Sequence, residues 1–271
     1  MSHPPCLPPG EEEVRPLLLE HTFIHIQGIG QKTEQKFWEQ GIQTWLDFVN
    51  HGKLIFSPAR DQFVKEELIL STKHISDIRF FQDRLSSGNI WRVFDAFKQK
   101  AVYLDIETSG GYQGIDEITV IGLFDGSSIH TFVNGISLNE FEIAITQYDL
   151  VITFNGTTFD LPIIRRWFPN ISLPPAHIDL RFLLKKMGYV GGLKKIEKSL
   201  GLMRNPEIDG MEGYDAVLLW KAYQWGDQEA LRRLIKYNTA DIVNLKPLME
   251  LGYREMKLRL LHFSKFKPPS F

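Results

Sequence analysis

The sequence predicts an α/β fold in which a mixed β-sheet is flanked by helices and preceded by a small helical unit. Between residues 101 and 133, three apolar strand-like segments are separated by glycine-containing turns, a pattern typical of an antiparallel meander. From residue 138 onward, helical segments alternate with a further strand, as α/β crossings require. Before residue 98 the pattern is helical.

The individual elements follow from composition and bounding turns. Strands are predicted at residues 101–106, 117–124, 128–133 and 150–153. Helices are predicted near residues 138–147, 158–168, 179–187, 193–200, 213–225 and 228–260. Since proline lacks a backbone N–H, we expect the last helix to be kinked or interrupted at Pro247.

Composition limits the possible classes of protein. The chain has 271 residues, 43% of them hydrophobic, which is enough to bury a core. Its net charge of −2 excludes a protein that binds nucleic acid along a whole basic surface, so any such contact must be local. The lone Cys6 excludes internal disulfides and favours a reducing compartment. With no signal-peptide pattern and no apolar run of about 18 residues, we expect a cytoplasmic protein without membrane contact, and a monomer.

The N-terminal part divides into a tail and a helical unit. Residues 1–16 are rich in proline and glutamate and are predicted to be disordered. Residues 17–97 form the helical unit, in which a turn at Gly28 and Gly30 precedes a helix that ends at Gly41. This arrangement resembles a helix-hairpin-helix element.

A helix-hairpin-helix turn can bind a nucleic-acid backbone. Glycines let backbone N–H groups approach a phosphate closely, and Lys32 is placed to assist Gly28 and Gly30. The alternative is an ordinary helical hairpin, whose glycines serve as turn and cap. Its core would consist of four side chains: Phe37, Trp45, Leu46 and Phe48.

Four acidic residues stand out because they lie in three ordered motifs. Asp105 and Glu107 are two residues apart on a predicted strand, so both carboxylates project from one face. Asp160 follows an apolar strand and a turn. Tyr237 and Asp241 are four apart on a predicted helix and share its face. Carboxylates with room for water suit Mg²⁺ or Mn²⁺ rather than zinc, and the set predicts a site for two metal ions.

The motifs resemble those of the DEDD exonucleases of the ribonuclease-H-like fold, in the subgroup that has Tyr in its last motif. The resemblance covers roughly residues 100–250. It rests on seven residues: Asp105, Glu107, Asn155, Phe159, Asp160, Tyr237 and Asp241. The stretches at 177–180, 191–201 and 237–245 look more narrowly like the YprB-like branch of this family. Residues 98–271 would then form the exonuclease domain.

The resemblance implies 3′→5′ removal of nucleoside monophosphates from a DNA or RNA end, which we expect to be single-stranded. Two Mg²⁺ or Mn²⁺ ions would be bound by the four acids: Asp105, Glu107, Asp160 and Asp241. Tyr237 would orient the attacking water, since a phenol with a pKa of about 10 is a poor base. Four residues are candidates for substrate binding: Thr108, Asn155, Phe159 and Lys194. For Phe159, we favour packing in the core.

Structural roles compete with these assignments. Asp105 and Glu107 would be solvated on an edge strand, but their apolar neighbours favour a central one. Asp160 alone would be a helix N-cap, and Tyr237 with Asp241 alone would be a weak signal. For Asp179, a capping role is favoured over a place beside the metals.

Two functional alternatives also arise. The sequence from Asp105 to Thr108 superficially resembles the Asp-x-Asp-x-Thr motif of haloacid-dehalogenase-type phosphohydrolases, although the second acid is Glu107. The stronger alternative is a non-catalytic module that binds nucleic acid through the N-terminal unit. The intact set of acids argues against it.

Overall fold

The computed structural model describes residues 17–111 and 116–262; the predicted disordered tail, 1–16, lies outside them. Five strands form one mixed sheet: β1 (Ala101–Thr108), β2 (Ile118–Phe124), β3 (Ile129–Val133), β4 (Leu150–Thr153) and β5 (Ala176–Asp179). Their order is β3-β2-β1-β4-β5, with β1 central. The first three strands are antiparallel, whereas β4 and β5 run parallel to β1. The predicted mixed sheet is confirmed.

Two strands differ from the prediction. β1 extends beyond residue 106 because its pairing with β2 continues through Glu107 and, after a bulge, to Thr108. β5 was not predicted at all. It has only four residues, too few for a clear alternating pattern, and it exists because it pairs with β4 up to Asp179.

Helices surround the sheet. The N-terminal unit contains α1 (Gln31–Glu39), α2 (Trp45–Val49), α3 (Pro58–Lys73), α4 (Ile78–Gln82) and α5 (Phe94–Phe97). The later helices are α6 (Phe141–Ala144), α7 (Asp160–Trp167), α8 (Leu180–Lys185), α9 (Leu193–Ser199), α10 (Gly213–Gln224) and α11 (Gln228–His262). Within the described part of the chain, no helix is both long enough and apolar enough to span a membrane.

Of the two outcomes predicted for the last helix at Pro247, the interruption is wrong, whereas the kink stays a prediction. α11 continues through Pro247 as one helix. Its neighbours Leu245, Leu248 and Met249 are buried in the core, so tertiary packing offsets the loss of a backbone hydrogen bond.

The two faces of the sheet contact different helices. On β1, Val102, Leu104 and Ile106 belong to a core that includes residues of α6 and α7. Tyr103 belongs to the opposite core, which includes residues of α11 and the N-terminal unit. Because residues two apart share a face, the acidic positions of β1 lie on the face of Tyr103.

The N-terminal unit shares this second core with the sheet. One cluster of buried apolar side chains extends from Phe23, Phe37 and Trp45 to Ile152 and Ile178 in the sheet. Removal of the unit would therefore expose an apolar sheet face, so point substitutions probe it better than truncation does. The domain boundary at residues 97 and 98 stays a prediction.

The glycine turn of the N-terminal unit differs from its simplest interpretation. Gly28 has a φ of 80°, which favours glycine, whereas Gly30 has a φ of −98° that any residue adopts. The Arg60 guanidinium lies against Gly28 and donates a hydrogen bond to the carbonyl oxygen of Gln27. The turn that requires glycine is thus at Gly28, beside the half-buried cation Arg60.

The glycine turn lies between a short 3₁₀ helix and α1. α1 ends before Gly41, whose φ of 84° stops the helix as predicted. The turn follows a short 3₁₀ helix, Leu18–His21, and a series of turns. Of the four predicted core residues Phe37, Trp45 and Phe48 are buried, whereas Leu46, predicted to be buried, is 68% exposed on the outer side of α2.

Gly122 controls how closely α11 approaches the sheet. It pairs with Asp105 across the β1–β2 ladder. A Cβ atom at this position would lie 2.1 Å from Asn238 Oδ1 and 3.1 Å from Ile242 Cδ1. The absence of a side chain therefore allows Asn238 and its helix to reach the acidic part of β1.

We predict that Gly122→Ala lowers the free energy of unfolding by about 2 kcal/mol, since the added methyl group displaces the buried Asn238 side chain. Urea unfolding measures the change. Gly52→Ala is the control, because a Cβ atom there meets nothing within 4 Å. Equal stability of the two variants would show that α11 moves away at no cost.

Candidate metal centre

The predicted metal ligands come from three elements that meet at one edge of the sheet. Asp105 and Glu107 lie near the carboxyl end of β1, Asp160 is the first residue of α7, and Asp241 is on α11. Asp160 reaches β1, where its Oδ1 accepts a hydrogen bond from the Ile106 N–H at 3.1 Å. Parallel strands place their carboxyl ends together, which is why the loop after β4 meets β1.

Three of the four acids form a compact cluster. Asp105, Glu107 and Asp241 each offer a carboxylate oxygen, and these atoms all lie within 4.8 Å of one another. Asp160 is not a member of this cluster, although it is adjacent through β1. The Oε1 atom of Glu107 is buried without a hydrogen-bond partner in the described structure. An unpartnered carboxylate oxygen among other hard oxygen donors fits a divalent cation such as Mg²⁺ or Mn²⁺.

Burial and mutual repulsion make these acids hard to ionise. Burial raises the pKa of Asp105 and of Glu107 well above their usual range, and the charge of Asp241 raises both further. Burial also raises the pKa of Asp160 to about 7, against the stabilising effect of backbone hydrogen bonds. A bound cation would compensate the negative charge that disfavours ionisation.

Asp241 is the acid of the four that forms ion pairs with cationic side chains in the described structure. Burial raises its pKa, whereas Lys194 and Arg204 lower it. Arg204 donates a hydrogen bond to Asp241 Oδ1, and Lys194 Nζ lies 3.9 Å from Oδ2. Buried Glu197 in turn holds Arg204 through two bonds of 2.6 and 2.7 Å. Asp241 is therefore the acid whose charge is best compensated by the protein itself.

Sequence reasoning missed Arg204, Glu197 and Asn238. Nothing local marks Arg204, which lies in a loop and reaches Asp241 only through the fold. Asn238 is fully buried and donates to Asp105 Oδ2 at 3.0 Å and to its carbonyl oxygen at 3.3 Å. Its position three residues before Asp241 on the same helix was the available signal.

Tyr237 is buried on the same helix. Burial raises the pKa of its phenol above the ordinary value, and the charges of Asp241 and Glu107 raise it further. The phenol therefore stays protonated at neutral pH and acts as a donor. Lys194, which pairs with Asp241, also lies over this ring, with its Nζ 4.5 Å from the ring centre.

The other candidate substrate-binding residues have varied surroundings. Asn155 has a φ of 69°, and its Oδ1 accepts hydrogen bonds from Thr158 Oγ1 at 2.9 Å and from Arg181. Phe159 is 39% exposed, so the favoured core-packing role is wrong. Phe159 is the N-cap of α7, and the buried positions that follow it are taken by Asp160 and Leu161. Thr108 ends β1 and is half-buried.

Asp179 has the capping role that was predicted. It is the N-cap of α8 and accepts a hydrogen bond from the Arg181 N–H at 3.1 Å. It also accepts from the backbone N–H groups of Asn155 at 2.8 Å and Thr157 at 3.0 Å. Its carboxylate therefore fixes the loop between β4 and α7, which carries Asp160.

A central β1 with acids at its carboxyl end, in a sheet of this order, defines a ribonuclease-H-like protein. A sequence profile of the RNase_H superfamily matches residues 102–253, more than half of the chain, and the chain belongs to this superfamily. The predicted resemblance is confirmed at this level, and the YprB-like branch stays a prediction. A search of curated proteins finds no match.

Several solved structures are similar in part. The family B DNA polymerase of Pyrobaculum calidifontis is 14% identical, with a TM-score of 0.46 over 62% of this chain and 27% of the polymerase. Escherichia coli RNase D is 17% identical, with a TM-score of 0.39 over 67% of this chain and 49% of RNase D. Brucella melitensis NrnC is 16% identical, with a TM-score of 0.40 over 64% of this chain and 87% of NrnC. The chain thus spans about a quarter of the polymerase and half of RNase D.

We predict opposite effects on metal-free stability from two isosteric substitutions. Glu107→Gln removes a buried charge with an unpartnered oxygen, and should raise the melting temperature by about 3 °C. Asp241→Asn removes the charge that pairs with buried Arg204, and should lower it. Calorimetry in a chelator measures both.

If Asp241→Asn stabilises the metal-free protein as much as Glu107→Gln does, the repulsion that Asp241 experiences from the other acids outweighs its pairing with Arg204. Added Mg²⁺ should stabilise the unmodified protein more than either variant, because each variant lacks one charged ligand.

Proposed function

We propose that this protein is a metal-dependent 3′→5′ exonuclease that releases nucleoside monophosphates from a nucleic-acid end. One observation carries the proposal: Asp105, Glu107 and Asp241 bring three carboxylate oxygens within 4.8 Å of one another, from two elements far apart in sequence. A purely structural role does not explain this grouping, since like charges raise one another's pKa when buried together. Membership of the RNase_H superfamily supports hydrolysis of phosphodiester bonds.

The acids would bind the metal ions, with Asp105, Glu107 and Asp241 as the central ligands and Asp160 beside them. When bound, two divalent ions acidify an attacking water and stabilise the attacking and leaving oxygens. Asn238 fixes the orientation of Asp105 by donating to its carboxylate. The protein thus pre-organises the ligand set before substrate arrives.

Tyr237 would hold the attacking water rather than deprotonate it. Its phenol keeps its proton, because burial and nearby carboxylates raise its pKa. A protonated phenol donates one hydrogen bond and accepts another, which is sufficient to orient a water molecule. Lys194, beside Asp241 and the Tyr237 ring, is placed to contact a substrate phosphate.

The 3′→5′ direction and the type of end rest on the resemblance to the DEDD exonucleases. Of the candidate contacts, Phe159 offers an exposed ring for the terminal base, and Thr108 ends the strand that carries two of the acids. Asn155 holds the loop before Asp160 through its bonds with Thr158 and Arg181.

The N-terminal turn would add a phosphate contact. Gly28, Gly30 and Lys32 are exposed at the start of α1, and Arg60 lies against Gly28. If this contact were the whole function, the protein would be a non-catalytic binding module. The buried carboxylate cluster favours the catalytic proposal instead, because binding of a phosphate backbone does not require grouped carboxylates.

A nuclease assay separates the two functions. End-labelled DNA and RNA, single- and double-stranded, are incubated with Mg²⁺ or Mn²⁺, and mononucleotide release is followed. We expect release from the 3′ end, and a loss of about a thousand-fold or more in Asp105→Asn, which removes a ligand charge at nearly constant volume. Binding without any metal-dependent release would establish the binding module.

We predict that Tyr237→Phe slows turnover about ten- to a hundred-fold while Mn²⁺ affinity changes little, since only a hydroxyl is removed and every carboxylate remains. Single-turnover hydrolysis gives the rate, and titration calorimetry gives the affinity. Tyr223→Phe, on α10, is the control. An unchanged rate for Tyr237→Phe would mean that Tyr237 only packs between α11 and the sheet.

A further inference from the structure

A groove runs between the N-terminal unit and the outer strand of the sheet. Its main cavity has a volume of about 600 Å³, and its walls include Trp91 from the N-terminal unit and Phe182 from α8. Two adjoining cavities measure about 420 and 320 Å³. The first shares Phe182 and Lys185 with the main cavity, and the second shares Thr157 and His177. We call these three cavities the β5 groove.

The β5 groove begins at the loop that leads to Asp160, one of the proposed metal ligands. Asn155, Thr157 and Thr158 line it, and the same loop ends at Asp160. Asp160 contacts β1 through the Ile106 N–H. A chain whose end lies at the acids can therefore continue over the loop into the groove.

The groove is positively charged. Four cationic side chains line it: Arg165, Arg181, Lys185 and Lys186. Asp179 also lines it, but its carboxylate is bound by three backbone N–H groups. In a chain with a net charge of −2, this local excess favours a polyanion.

The same groove has apolar and aromatic walls. Phe182 is 50% exposed at the point where two of the cavities join. Trp91 lines the main cavity, and its indole Nε1 is buried without a hydrogen-bond partner among the described residues. Ile90, Ile178 and Leu183 complete the wall. Flat apolar surface is what unpaired bases bind, and cations beside it bind the backbone.

We propose that the β5 groove binds the single-stranded part of a nucleic acid on the 5′ side of the nucleotide held at the metal centre. Phe182 stacks on a base, and Lys185 and Arg181 contact phosphates. A duplex presents its bases already paired and stacked, so it cannot use Phe182 in this way. The direction of the strand rests on the proposed function, whereas binding of single strands to the groove does not.

The experiment uses the full-length protein in a chelator, where no hydrolysis occurs. Fluorescence anisotropy measures binding of labelled oligothymidylate and oligouridylate of about 15 nucleotides, and of a hairpin duplex. The variants are Phe182→Ala and Lys185→Glu. The control combines Trp225→Ala with Lys221→Glu, which removes an exposed aromatic ring and reverses an exposed charge on or beside α10, outside the groove. Melting temperatures verify folding.

We expect Phe182→Ala to weaken binding of the long single strands about ten-fold, while binding of the hairpin duplex is unchanged. Lys185→Glu should reduce the slope of log affinity against log salt by at least about 0.7, the value for one lost phosphate contact on a single strand. The control variant should bind like the unmodified protein.

Two outcomes would overturn the proposal: groove variants that bind long single strands as tightly as the control does, or equal effects of the variants on the duplex. Competition by polyglutamate as strong as that by oligothymidylate would assign the groove to acidic peptides instead. Failure of the proposed function is a separate result, because it appears as absent mononucleotide release by the unmodified protein with Mn²⁺.

Discussion

Mutual repulsion among buried carboxylates is the constraint on which the rest of this structure depends. Asp105, Glu107 and Asp241 lie close together at the edge of the sheet, where burial and their charges raise one another's pKa. The fold tolerates this because partial compensation comes from distant parts of the chain. Arg204 and Lys194 approach Asp241, and Asn238 donates to Asp105. The remaining unpartnered oxygen of Glu107 leaves the compensation incomplete, which is the electrostatic condition for binding a divalent cation.

Helix α11 brings these groups together, and its packing depends on a small residue. Gly122 pairs with Asp105 in the sheet and leaves room for the Asn238 side chain above it. The same helix carries Asp241 and Tyr237 over β1 and contributes Leu245 and other residues to the core. The packing of α11 therefore determines the geometry of the site. A shift of the helix would move Asp241 together with Asn238, the hydrogen-bond donor to Asp105.

The N-terminal unit contributes to the same arrangement. Its buried side chains continue the core beneath the sheet, so it supports the strands that end at the acids. Its Ile90 and Trp91 also form one wall of the β5 groove, which the loop before Asp160 lines as well. A unit that is recognisable in sequence as a helical appendage thus supplies packing for the ribonuclease-H-like sheet and part of the β5 groove.

Local sequence determined the strands of the meander, most helix positions and the identity of the acids, because periodicity and motif spacing are short-range properties of the chain. Tertiary structure decided the rest. β5 is too short to carry a pattern and forms by pairing with β4, and α11 passes through Pro247 because its neighbours are buried. Arg204 meets Asp241 across 37 residues, and Trp91 and Phe182 come to line one cavity although they are far apart in sequence. Such contacts depend on how elements pack, and no local pattern records them.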